Sequence, residues 1–319
     1  MKNQTVFDIQ KPVSRMVFGT AGASFLKGED QTELLDAVFE MGIRCFDTAR
    51  VYGKSEQVFG NWLEKRNLYD QVVIITKGAH PSLPLWRKRV NEKEIRRDLE
   101  ESCRLLKTKY IDIWFLHRDD PEIEAGQIVE ILNALHAEGR IGAFGGSNWT
   151  HQRIQEANEY ACKHNLVPFT VSSPNFSLAH QVTDPWGGGC VTITGPENAE
   201  ARAWYAKNQM PVFAYSSLAN GLFSGRWKSD DPESIRKGLS KESMKGYGYQ
   251  ENYQRLARCE HMAEEKGCTV SQIALAWILR QEMNVYPIVT SASPERMRSN
   301  LAAAQVELSE EECRFLLEG

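Results

Sequence analysis

Eight short apolar runs set the frame for this chain. They begin near Met16, Cys45, Val72, Ile111, Gly142, Phe169, Val212 and Tyr286. Between them the apolar residues return at helical spacing. Leu34, Leu35, Val38 and Phe39 do so before Gly42, Leu99, Cys103, Leu105 and Leu106 within Asn91 to Lys107, and Ile128, Ile131, Leu132 and Leu135 before Gly139. Short apolar runs read as buried strands, and one-sided stripes read as helices laid over them. Their alternation predicts a parallel sheet with helices outside. Eight units predict a closed α/β barrel of the (β/α)8, or TIM, type, in one domain covering residues 1–319. An open dinucleotide-binding sheet lacks its main support. Its Gly-x-Gly-x-x-Gly fingerprint is missing after the first run, where the chain reads Gly19-Thr20-Ala21-Gly22.

Bulk properties narrow the partners. With 319 residues, 42% of them hydrophobic, the chain has ample material for one large core. Lys and Arg total 38 against 42 acids, a formal charge of −4, and no basic stripe points to nucleic acid. Residues 1–10 hold no apolar stretch of signal-peptide length, and no run approaches the ~20 residues of a membrane span. A cytoplasmic protein with no membrane partner is expected. The seven cysteines are odd in number and form no Cys-x-x-Cys, so neither a disulfide framework nor a metal site is expected, and they read as buried thiols. Two stretches, 177–196 and 216–248, are too long for simple connections. Both follow strand-like runs and are expected to overhang the C-terminal face of the barrel.

Chemistry-bearing residues gather at the ends of the runs. Asp47 closes the run Ile43-Arg44-Cys45-Phe46, and Tyr52 follows about one turn later. Lys77 follows Val72 to Thr76, and His117 follows Ile111 to Leu116. A parallel barrel keeps its chemistry at this end of its strands. Taken singly, Asp47 would cap a turn, Lys77 would be a solvated charge, Tyr52 a loop tyrosine and His117 a structural histidine. Their joint placement favours a functional reading.

With the segment Asp47-Thr48-Ala49-Arg50-Val51-Tyr52, the strand-ending Lys77 and the pair Leu116-His117, the sequence resembles the aldo-keto reductase family. The closest likeness is to bacterial-type members with a long loop after strand seven. The resemblance runs from about Phe18-Gly19-Thr20 to Asn300. It implies Tyr52 as general acid/base, Lys77 as the modulator of its pKa, Asp47 as the partner of Lys77, and His117 as the residue that orients the carbonyl. Elementary electrostatics fits these roles. A free phenol, with a pKa of about 10, is a poor acid at neutral pH. A nearby ammonium is expected to lower that value, and a carboxylate keeps a buried ammonium charged.

The resemblance also implies an NADP(H) site. Gly19 and Thr20 fall at the end of the first run. Ser147 and Asn148, in Gly145-Gly146-Ser147-Asn148-Trp149, match the pair that holds the nicotinamide carboxamide. Their competing reading is a helix N-cap. Ser173 stands where the family usually has Gln. Tyr215 matches the aromatic that stacks on the nicotinamide, with Ser216, Leu218 and Gly221 along the pyrophosphate. Ser291, Ser293, Arg296 and Asn300 match the site for the 2′-phosphate and adenine, although Thr290 and Ser299 replace a common Lys and Glu. Ser293 as N-cap and Pro294 as first helical residue would open a helix whose start suits an anion.

Trp86, Trp149, Trp186 and Trp227 fall past strand ends and are expected to wall a site for an aldehyde, ketone or sugar. The segments 116–121 and 172–177 resemble those of relatives often linked with sugar oxidoreduction, and that resemblance implies a carbohydrate-derived substrate. Oligomeric state is not legible. Two rivals are a slow NADPH-binding regulatory subunit, like the family's potassium-channel-associated relatives, and a metal-dependent barrel hydrolase using His80 and His117.

Overall fold

The computed structural model describes residues 9–82 and 84–319. The amino-terminal reading made for residues 1–10 thus falls largely outside the described residues. Eight parallel strands follow one another in chain order around a closed barrel, as the eight apolar runs predict. Contact density separates the chain into two compact units, Met1–Ser173 with Thr290–Pro294, and Pro174–Val289 with Glu295–Gly319.

The first unit runs β1 (Val17–Gly19), α1 (Ala23–Lys27), α2 (Thr32–Glu40), β2 (Cys45–Asp47), α3 (Ser55–Arg66), β3 (Val73–Gly78), α4 (Glu92–Leu106), β4 (Ile111–Leu116), α5 (Ala125–Ala137), β5 (Ile141–Ser147), α6 (His151–Lys163) and β6 (Val171–Ser173). Every residue of these six strands is buried, which is why they read as unbroken apolar runs rather than alternating ones. Residues paired across β2 and β3 are Cys45 with Val73, Phe46 with Ile74 and Asp47 with Ile75. Across β3 and β4, Lys77 pairs with Phe115 and Gly78 with Leu116. Asp47, Lys77 and His117 therefore climb the same end of three adjacent strands.

Helices start where the local chemistry allows. Asn91 caps α4 by accepting from the Glu94 N–H, and Thr150 caps α6 by accepting from the Arg153 N–H. Along α4 and α5 the apolar stripes face inward, with Leu105 and Ile131 left half-exposed at their edges. Phe46 of β2 stacks on Phe59 of α3, ring centres 5.3 Å apart, and meets Phe18 of β1 at 5.9 Å. That packing fixes both ends of the short loop that carries Tyr52. Gly145 is set by close approach. A Cβ there would lie 1.8 Å from the Val171 oxygen on the paired strand β6.

The second unit runs α7 (Ala199–Asn208), β7 (Val212–Ala214), α8 (Pro232–Gly238), α9 (Lys241–Tyr247), α10 (Gln250–Glu265), α11 (Val270–Leu279), β8 (Val285–Val289), α12 (Pro294–Leu301, shared at its first residue with the first unit) and α13 (Glu310–Glu318). The stretch 216–248 is not a bare loop, since it holds α8 and α9. The stretch 177–196 is mostly irregular but well tied. Thr192 donates to Asn175, which itself donates to Tyr247 and to the Tyr215 carbonyl, and Tyr247 donates to Gln181.

All seven cysteines are free thiols. Cys45, Cys103 and Cys259 are buried as expected, Cys190, Cys268 and Cys313 are half-buried, and Cys162 is exposed. No helix among the described residues is long and apolar enough to cross a membrane.

Candidate active site

Asp47 is held from its backbone outward. Its carbonyl accepts the Thr20 N–H at 2.9 Å and the Thr20 hydroxyl at 3.0 Å. The Ser55 hydroxyl bonds Thr20 Oγ1 at 2.6 Å and lies 3.0 Å from Thr48 Oγ1. This buried hydroxyl cluster locks the end of β1 and the start of α3 around the end of β2. Thr20, expected at the cofactor, spends its hydroxyl on this internal framework. Beyond Asp47 the ladder with β3 continues, since Thr48 N–H donates to Ile75 O and Arg50 N–H to Lys77 O, each at 2.9 Å. The chain then turns, with Tyr52 N–H on the Ala49 carbonyl, and delivers the phenol back over Lys77.

Lys77 and Asp47 form a buried ion pair at 2.5 Å, and the ammonium also donates to the Thr48 carbonyl at 2.9 Å. Lys77 lies 5.3 Å from the centre of the Tyr52 ring. Burial works against the ammonium, but Asp47 and Tyr52 outweigh it, and the Lys77 pKa is raised. Lys77 is therefore a fixed positive charge. The Tyr52 ring meets His117 edge-on at 5.7 Å. Burial raises the phenol pKa; Lys77 and Arg118 pull it down, Asp47 pushes it up, and the net direction is upward. This corrects the expected lowering, because desolvation of the phenolate exceeds the attraction of the ammonium. For His117, burial lowers the pKa well below the ordinary value, with Lys77, His80 and Arg118 adding to the effect. Its imidazole is neutral, and its buried Nδ1 has no hydrogen-bond partner.

The end of β5 meets this cluster. Asn148, at φ 60°, donates from its amide to the His117 carbonyl and to Ser147 Oγ, each at 3.1 Å. Ser147 Oγ donates to the Ser173 carbonyl at 3.0 Å. The Ser173 hydroxyl is buried and unpartnered. Neither Ser147 nor Asn148 caps the following helix, because Thr150 does. A buried hydroxyl left open beside two polar side chains suits an amide-bearing ligand.

Of the other expected residues, Gly19 ends β1 in register with Asp47. Trp86 is 38% exposed and touches His80 at 5.8 Å, and His80 meets His117 at 4.9 Å, so an aromatic path leads from the surface to the phenol. Trp149 points the other way. It is fully buried against Phe169 at 5.0 Å and lies in the space a Cβ on Gly146 would fill. Ser291 accepts the Ser293 N–H and donates to the Ser293 carbonyl.

In the second unit, Trp186 lies 6.0 Å from Tyr215, whose hydroxyl reaches the Val191 carbonyl at 3.4 Å. Trp227 packs against Gly238 at the end of α8. After β7, Ser216, Ala219, Asn220 and Gly221 all have positive φ, and Ser216 donates to Asn220. Leu218 is half-buried within this turn. Arg296 lies in the first turn of α12 and Asn300 is buried farther along it. Pro294 opens that helix as its composition predicts.

The sequence reading missed two residues at the cluster as site candidates. His80 had been weighed only as a metal ligand. Arg118 enters the sequence reading only as part of the segment 116–121, with no role of its own. Among the described residues, no group of three or more His, Cys, Asp or Glu side chains could hold a metal ion.

A closed parallel barrel with Asp, Lys, Tyr and His converging at its strand ends defines a barrel oxidoreductase. A sequence model of the Aldo/keto reductase family matches residues 15–316, and the chain belongs to that family. It is 24% identical over 295 residues to an aryl-alcohol dehydrogenase of Pestalotiopsis microspora, covering 90% of this chain and 71% of that protein.

Proposed function

We propose that this chain interconverts a carbonyl compound and its alcohol by NADP(H)-dependent hydride transfer, with Tyr52 as general acid/base. The observation that carries this is the buried Asp47–Lys77 pair set beside the Tyr52 phenol. When bound, the nicotinamide supplies the hydride. In reduction, Tyr52 gives its proton to the carbonyl oxygen. The raised pKa keeps that proton in place at neutral pH. Lys77 stabilises the phenolate that remains, and Asp47 keeps Lys77 charged. Neutral His117 orients the oxygen by a hydrogen bond. In oxidation the same phenolate removes the alcohol proton.

The open Ser173 hydroxyl beside Ser147 and Asn148 fits the nicotinamide carboxamide. Tyr215 is assigned to stack on the ring, with Ser216, Leu218 and Gly221 along the pyrophosphate. Ser291, Ser293, Arg296 and Asn300 are assigned to the 2′-phosphate and adenine. The substrate is a small aldehyde, ketone or sugar-derived carbonyl in the cytoplasm. The aromatic path through Trp86 and His80, and the dehydrogenase named above, add aryl alcohols and aldehydes to that class.

The test is a panel of carbonyls, sugar alcohols and aryl alcohols with NADPH, NADH and their oxidised forms, followed by absorbance of the reduced nicotinamide. Tyr52→Phe should keep cofactor binding and lose about 10²–10⁴-fold in turnover. Turnover within a few-fold of the parent would overturn the role of Tyr52.

A further inference from the structure

Arg118 stands immediately after His117 at the end of β4 and is 6% exposed. Its Nε is sealed from solvent and has no hydrogen-bond partner. Its Nη1 reaches only the His117 carbonyl, at 3.4 Å, beyond the usual range of an N–H···O bond. Among the described residues no carboxylate pairs with Arg118; the neighbouring ones have other partners, and Asp119 keeps a buried Oδ1 with no hydrogen bond. Asp119 pairs with Arg153 at 3.2 Å, Asp120 with Lys88 at 2.8 Å, Asp98 with Arg89 at 2.6 Å and Asp47 with Lys77. A buried guanidinium without a counter-charge is costly unless a ligand supplies one.

This cation belongs to the catalytic cluster. Its charge reaches Tyr52, His80 and His117. The other cations near these groups have partners of their own, Lys77 in Asp47 and Arg89 in both Glu94 and Asp98. Among these cations Arg118 has no carboxylate of its own. A carboxylate carries one negative charge and fits the guanidinium fork with two parallel hydrogen bonds. A phosphate carries about −1.5 to −2 and would leave charge unmatched.

The geometry points to Arg118 as the anchor for a carboxylate on the substrate, so that the site takes small oxo or aldehydo acids whose carbonyl meets Tyr52 while their carboxylate meets Arg118. This rests on the carbonyl–alcohol reading above. Arg118 then sets specificity, and the aromatic rings of His80 and Trp86 line the approach.

Two measurements test it. The first compares kcat/KM for 3- and 4-formylbenzoate with the corresponding formylbenzamides, which match in shape and lack the charge. The parent should prefer the acids about tenfold or more. That ratio should fall to near one in Arg118→Met and lie between in Arg118→Lys. The second is calorimetric titration of benzoate and phenyl phosphate into the protein, which needs no turnover. Benzoate should bind the parent more tightly than phenyl phosphate, weaken about tenfold or more in Arg118→Met, and be partly retained in Arg118→Lys. The melting temperature of Arg118→Met should equal or exceed that of the parent, which separates lost recognition from lost folding.

An acid-to-amide ratio near one in the parent, a preference that survives Arg118→Met, or tighter binding of phenyl phosphate would overturn the carboxylate anchor. Benzoate binding that depends on Arg118 in a protein that turns over no carbonyl would uphold the anion site and overturn the oxidoreductase chemistry assigned to it.

Discussion

The side-chain amide of Asn148 donates to the main-chain oxygen of His117 at 3.1 Å and thereby ties the end of β5 to the end of β4. His117 has no side-chain partner at Nδ1, so its ring is placed through its backbone and through packing on Tyr52 and His80.

Asn148→Gly removes this tie while keeping the positive φ that glycine adopts freely. Turnover should fall about tenfold, roughly 1.4 kcal/mol in barrier height, with cofactor affinity reduced as well. Global stability should change by no more than about 1 kcal/mol. Steady-state kinetics beside a thermal melt checks this, and unchanged turnover would show that His117 needs no such brace.

The raised phenol pKa gives a signed pH dependence. Reduction uses the protonated phenol, so its rate should stay flat through neutral pH and fall only above the ordinary value of 10.0. Oxidation uses the phenolate, so its rate should climb about tenfold per pH unit across the neutral and alkaline range. Lys77→Met removes the main attraction on the phenolate. It should push the oxidation limb to still higher pH and cut the rate at neutral pH. Full pH–rate profiles in both directions decide the matter; an oxidation rate that does not depend on pH would contradict it.

Arg296→Ala should weaken NADPH far more than NADH. A charge-assisted hydrogen bond contributes about 1.5–3 kcal/mol, so the NADPH loss is on the order of ten- to a hundredfold. Thr290 provides no second cation where relatives often have Lys, which makes the contrast sharper. Dissociation constants from fluorescence quenching report it, and equal losses for both cofactors would place the 2′-phosphate elsewhere.

Gly145→Ala should destabilise the barrel by about 3 kcal/mol, because its methyl would meet the Val171 oxygen at 1.8 Å. The strand pair β5–β6 would have to part, and Ser147 and Ser173 would part with it. A melting temperature within a degree of the parent would show that the pair can shift without loss.

Much of the fold was legible because strands buried on both faces leave continuous apolar runs. Asp47, Lys77 and His117 were legible because polar residues end those runs. What escaped depended on burial and direction. The four loop tryptophans look alike in sequence, yet Gly146 opens the space that Trp149 fills, while Trp86 stays at the surface. The pairing of Asp119 with Arg153, and of Asp120 with Lys88, joins residues more than thirty positions apart, so nothing local shows that Arg118 is left over. The family resemblance sets Lys77 beside Tyr52, but the desolvation that outweighs it appears only when the chain is folded.

Ser82 and Arg87 clasp each other in a small antiparallel bridge, with the Ser82 N–H on the Arg87 carbonyl at 3.0 Å, and Trp86 and Leu85 project from this clasp. Neither of those two residues forms a rung of the barrel ladder. In evolutionary terms the clasp is a free variable. Drift at Leu85 or Trp86 would alter the surface beside His80 and leave the strands and the Asp47–Lys77 pair in place. If the proposed function holds, single substitutions there would change which substrates reach the site without a stabilising change elsewhere.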